Sequence, residues 1–166
     1  MENINQILTF WFPNNDYNLW WFKSNEKLDH QIYQLYHDQI VQTFNDFNSQ
    51  DYLDKSPEEL IVSIILLDQF SRNINIIVSN LNIKSYTEKA YELSKIWIDN
   101  KYYLTQPIAQ TVFAFLPIRH LGNKSDLDNL IELLKQIENE NNLIINDTIF
   151  NKFKLHTIRQ INFVLN

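Results

Sequence analysis

Apolar residues recur along most of the chain at three- and four-residue spacing, the period of a helix with one side against a core. In SNEKLDHQIYQLYHDQIVQTFNDF the stripe is Leu28, Ile32, Leu35, Tyr36, Ile40, Phe44 and Phe47. The helix that follows Pro57 is apolar nearly all round, through Leu60, Ile61, Val62, Ile64, Ile65, Leu66 and Leu67, and only Ser63 breaks it. Such a helix is expected at the centre of a domain, covered on several sides. Further stripes run through Leu93, Trp97 and Ile98, and through Leu127, Leu130, Ile131, Leu134 and Ile137. A short helix around Ile4–Phe12 precedes them all.

Start and stop signals agree with this pattern. Ser56 is a good cap, Pro57 suits the first helical position, and Glu59 completes a capping box. SYTE (Ser85 to Glu88) and SDLD (Ser125 to Asp128) are expected to open two more helices. Another is expected from Pro107 to Gly122, and a last one from near Asp147. Gly122 is the only glycine, whereas all-β folds lean on glycine-rich turns, so Asn is expected to serve as the left-handed cap residue. No repeat at a fixed period and no linker is visible. The expectation is a single all-α domain over residues 1–166, with seven or eight packed helices.

Composition narrows the function classes. At 166 residues the chain suits one domain with a sizeable core. Hydrophobic residues make up 45% and aromatic ones 14%, so bulky rings should dominate that core. A net charge of −6 argues against nucleic acid as a partner, which would need a basic face. There is no cysteine, which removes disulfides, thiolate metal sites and cysteine nucleophiles together. The start, MENINQ, lacks the features of a signal peptide. No apolar run approaches the roughly 18 residues that span a bilayer. A cytoplasmic protein without a membrane partner is expected.

The most unusual stretch is IILLDQFSRN, Ile64 to Asn73, in which an apolar run ends in an acid and a base one helical turn apart. At helical spacing Asp68 faces Arg72, and Gln69 faces Asn73. An ion pair at the end of a buried helix is partly desolvated and needs further hydrogen bonds. Two accounts fit: Arg72 ties down the helix end while Asp68 orients it, or Arg72 meets an anionic ligand in a polar pocket.

IILLDQFSRN resembles LLLDQFPRN, the signature of the bacterial domain-of-unknown-function family 924. LTFWF (Leu8–Phe12) is similar to that family's opening LDFWF, Trp21-Phe22 to its following WF, and FAFLPIRH (Phe113–His120) to its FLYMPFEH. The resemblance implies an all-α fold placed near the TPR-like folds, and no established activity. By position it implies Asp68, Gln69, Arg72, Asn73 and His120 as the matching polar residues. The chain departs from the pattern at Ser71, where the family has Pro, and at Arg119, where it has an acid. The family's Arg-Gly after Arg-Asn is absent from NINIIVSN, and its closing FPHRN is at best HTIRQ, which keeps Arg159. If those residues build a common site, this chain lacks part of it.

Other candidate chemistry is sparse. His120 and Arg119 lie in the last turn before Gly122, where positive groups complement exposed carbonyls, and His120 is also a candidate site histidine. Pro117, inside the same helix, is expected to kink it. His30 and His37 share a helix face but sit roughly 10 Å apart along it, and no HExxH motif or carboxylate cluster appears, so no metal is expected. With a single glycine there is neither a phosphate-binding loop nor a GxSxG elbow, and no cofactor is expected. Trp11, Trp20, Trp21 and Phe22 form an aromatic cluster. It reads as core packing, or as a ring-lined groove in which Trp21 anchors a ligand. Trp20 and Trp21, being adjacent on a helix, cannot both face one core.

These readings point to a non-enzymatic binding module for a peptide, a protein or a small anionic ligand. The alternative is a small-molecule enzyme, for example a hydrolase, that uses Asp68, Arg72 and His120. The third reading is a structural protein that forms a homo-oligomer.

Overall fold

Short polar side chains start most of the helices. The computed structural model describes residues 2–16, 21, 25–141 and 147–164, and the following statements concern these. They form α1 (Glu2–Trp11), α2 (Glu26–Asn45), α3 (Pro57–Ile64), α4 (Ser71–Val78), α5 (Ile83–Asp99), α6 (Ile108–Leu121), α7 (Lys124–Glu140) and α8 (Thr148–Val164). Residues Ile65–Phe70, between α3 and α4, form a π-helical turn. Short 3₁₀ turns occupy Pro13–Asn15, Ser49–Tyr52 and Tyr102–Leu104. The result is an all-α fold.

The expected capping box opens α3: the Ser56 hydroxyl accepts from Glu59 N at 3.2 Å, and the Glu59 carboxylate accepts from Ser56 N at 3.1 Å. The other two boxes do not form. α5 starts earlier, because Asn82 Oδ1 accepts from Ser85 N, and α7 starts at Asn123, which accepts from Asp126 N. Asn is as good a cap as Ser, and in both places it stands upstream of the serine and captures the first free amides. Asn25 caps α2 in the same way, and Asp147 accepts from Phe150 N at the start of α8. Asn14 and Asn15 are left-handed as expected, but the left-handed caps of helices fall to Ser79, after α4, and Lys101, after α5. Gly122 has an ordinary negative φ. Its need is space, since a Cβ there would lie 2.3 Å from the Ile118 carbonyl oxygen.

The unbroken helix Pro57–Val78, 22 residues long, is the centre of the molecule. Helices α1, α5 and α6 pack on its first part, and α2 and α5 on its π turn and α4. Consecutive helices α5, α6, α7 and α8 then pack each on the next. One buried apolar cluster runs through all of this, from Ile7 to Phe153. By length and composition this central helix could cross a membrane, which corrects the expectation that no segment is apolar enough. More than half of it is buried inside the domain.

Within the core, Trp21 stacks on Trp11 with ring centroids 5.7 Å apart and meets Phe113 edge-on at 4.5 Å. Trp20 and Phe22 of the expected cluster lie outside the described residues. On α2 the expected stripe holds at Leu28, Ile32, Tyr36 and Ile40 but fails at Leu35, which is 57% exposed. Asp29 is buried on that face instead.

Candidate functional site

The π turn begins where the apolar run ends and carries Asp68 into the core. Its wide hydrogen bond runs from Ser71 N to Leu66 O, five residues back. A return from π to α spacing leaves a carbonyl short of an amide, and the Ser71 hydroxyl donates to Leu67 O at 2.6 Å. Ser71 thereby completes the turn with its side chain.

The Asp68 carboxylate is fully buried. Its Oδ1 accepts from Arg72 Nη2 at 3.2 Å and pairs with His120 Nδ1 at 3.1 Å, and its Oδ2 accepts from Gln69 Nε2 at 2.6 Å. Arg72 Nη2 also donates to Thr87 Oγ1 at 2.7 Å, which engages both of its hydrogens. The contact of 3.1 Å between Arg72 Nη2 and His120 Nδ1 is therefore proximity around a shared acceptor. A carboxylate can only accept, so Nδ1 carries the proton it shares with Asp68, and in the neutral ring Nε2 is left as the basic nitrogen. Arg72 Nε is buried without a hydrogen-bond partner.

Burial by itself pushes the Asp68 carboxyl up, but the hydrogen bond and charge of His120, followed by Arg72, outweigh it and hold the group below its usual range. Arg119, next to His120, is pushed down by burial, and Asp68 pulls it back up. The Arg72 side chain keeps 39% of its surface and the His120 ring 27%, so the network is sealed at the acid and open at the bases.

Of the residues singled out from sequence, Asp68, Gln69, Arg72 and His120 meet in this network. The expected Gln69–Asn73 pair does not form. Gln69 turns back to Asp68, and Asn73 donates to the buried Asp29 at 2.7 Å, tying α4 to α2. Trp21 belongs to the aromatic cluster described above. Asp29 and Thr87 escaped sequence reading, although both carried a signal: each is a polar residue on a helix face otherwise built from core positions. Among the described residues no three His, Cys, Asp or Glu side chains gather to hold a metal ion.

No curated protein and no solved structure matches the chain. Residues 7–161, which include every residue of the Asp68 network, match the bacterial protein family of unknown function DUF924. The match covers nearly the whole chain, and the chain belongs to that family.

Proposed function

We propose that this is a non-catalytic binding domain for a small ligand or a peptide, working in the cytoplasm, with the Asp68 network as an internal brace. The observation that carries this reading is the state of Asp68. Both of its oxygens are engaged by Arg72, His120 and Gln69, and none of its surface reaches solvent, so a substrate has no access to it. A general acid or base must come within hydrogen-bond reach of the proton it moves. Stacking of consecutive helices, α5 on α6, α6 on α7 and α7 on α8, supports a TPR-like arrangement, which suits a binding surface.

A second reading, a small-molecule enzyme, draws on one observation. Asp68 holds the Nδ1 side of His120, and the partly exposed ring then has Nε2 as its base, the relation that orients a general base in hydrolases. Native mass spectrometry of freshly purified protein, beside a panel of ester and phosphoester substrates, separates the two. A retained ligand without turnover is expected. Turnover that disappears in His120→Ala would overturn the binding reading.

A further inference from the structure

Helix α8 is out of character with the rest of the chain. The protein carries a net charge of −6, yet the 17 residues of α8 contain no Asp or Glu. Lys152, His156 and Arg159 recur on it at spacings of four and three, which places them on one face. Lys154, on another part of the helix, is neutralised by Glu138 of α7. The other three have no carboxylate within ion-pair distance among the described residues. They border a groove of about 730 Å³ between α6 and α8, and Arg119 of α6 enters it from the opposite side. Among the described residues no acid lines this groove.

The walls of the groove are apolar. Leu116 of α6 and Ile149 and Phe153 of α8 line it. The Arg119 guanidinium lies over the Phe153 ring, 5.1 Å from its centroid, and Gln160 donates to the Arg119 carbonyl at 2.9 Å. The Arg119 side chain and its backbone are thus both held in place. Its volume lies within the usual range for small-molecule sites, roughly 300–1,000 Å³. An apolar trough beside unpaired cations is complementary to one chemical class. An uncharged apolar ligand would leave the cations without partners, and a bare anion would leave the trough wet.

We infer that the groove between α6 and α8 binds an amphipathic anion, a small molecule with an apolar body and a terminal carboxylate or phosphate. Arg119 and Arg159 are suited to the headgroup, because a guanidinium matches two oxygens at once, with Lys152 and His156 beside them. Phe153, Ile149 and Leu116 take the apolar body. This assignment rests on the binding-domain reading above and adds the site and the ligand class to it.

Isothermal titration with octanoate and octyl phosphate, below micelle-forming concentrations, tests the assignment. One molecule of at least one of them should bind per chain, and the tighter of the two identifies the headgroup. Octanol and inorganic phosphate should each bind at least about tenfold more weakly, since each lacks one half of the complement. The double variant K152A/R159A removes two side chains at the groove's edge, and its fold is checked by circular dichroism. It should weaken binding by about tenfold or more and flatten its salt dependence. Equal affinity for octanol, binding unchanged in the variant, or no binding of either anion would overturn the assignment. Binding only to anionic phospholipid vesicles, and not to the monomeric amphiphiles, would overturn it in favour of a membrane surface. These failures are distinct from failure of the binding-domain reading, which would show as turnover dependent on His120.

Discussion

His120 donates its Nδ1 proton to Asp68 at 3.1 Å across 52 positions of sequence, and so joins the end of α6 to the middle of the central helix. The bond closes the polar end of the core. Because Arg72, Gln69 and Thr87 also take part, side chains from three stretches of chain, the central helix, α5 and α6, share one arrangement.

Removing one charge should expose how much this arrangement matters. Arg72→Leu leaves Asp68 buried with His120 and Gln69 only, and should lower stability by about 1–3 kcal/mol in urea unfolding, less than for a fully buried pair because Arg72 is part-exposed. The double change Asp68→Leu with Arg72→Leu removes both charges and should recover part of that loss. A single variant as stable as the wild type would end the brace account.

The depressed Asp68 carboxyl predicts a pH dependence with a definite sign. Its unfolded value is about 3.9, so between that and the lower folded value the unfolded chain binds more protons. The contribution of Asp68 is then fully present above about pH 5 and is lost as the pH falls through the folded value. Thermal melts from neutral pH downwards should show a steeper acid loss in the wild type than in Asp68→Asn. Parallel curves would contradict the depressed value.

Two leucines predicted alike by periodicity should behave differently. Leu66→Ala, at 2% exposure on the central helix, should cost about 2–5 kcal/mol. Leu35→Ala, on the open side of α2, should stay within about 0.5 kcal/mol. Urea unfolding of both variants checks the pair, and similar losses would contradict the burial described.

Ser71→Ala should cost about 1 kcal/mol by leaving the Leu67 carbonyl without its hydroxyl donor inside the core. The same change at Ser79, exposed after α4, serves as the control in thermal melts.

The sequence made the helices legible because their apolar stripes are long, and it made Asp68 and Arg72 legible because charges seldom follow four buried aliphatic residues directly, while His120 was legible from the resemblance of FAFLPIRH and its place at a helix end. Helix starts were legible at Ser56 but displaced at Ser85 and Ser125, where an upstream Asn competes for the same amides. The partners of Gln69 and Asn73 were not legible. Their i,i+4 pairing assumes a regular helix, and neither the π turn nor the Asp29 acceptor on α2 leaves a mark in local spacing. The basic groove was hidden for a different reason: Arg119 lies more than thirty residues before Lys152, and only packing of α6 on α8 brings them together.

The π turn sits between two packing surfaces. α3 packs against α1, α5 and α6, and α4 against α2 and α5, so α5 follows the helix on both sides of the turn. A turn closed by a bond five residues back takes up one residue more than a regular one, so the helix beyond it keeps the direction that a regular helix one residue shorter would have. Deleting one residue between Ile65 and Phe70 would therefore regularise the helix and leave Arg72, Asn73 and Ile74 facing their present neighbours, whereas deleting one from the regular α3 would turn all three by roughly a quarter of a revolution. In this chain the turn is the one place in the central helix where a residue of length carries no angular consequence.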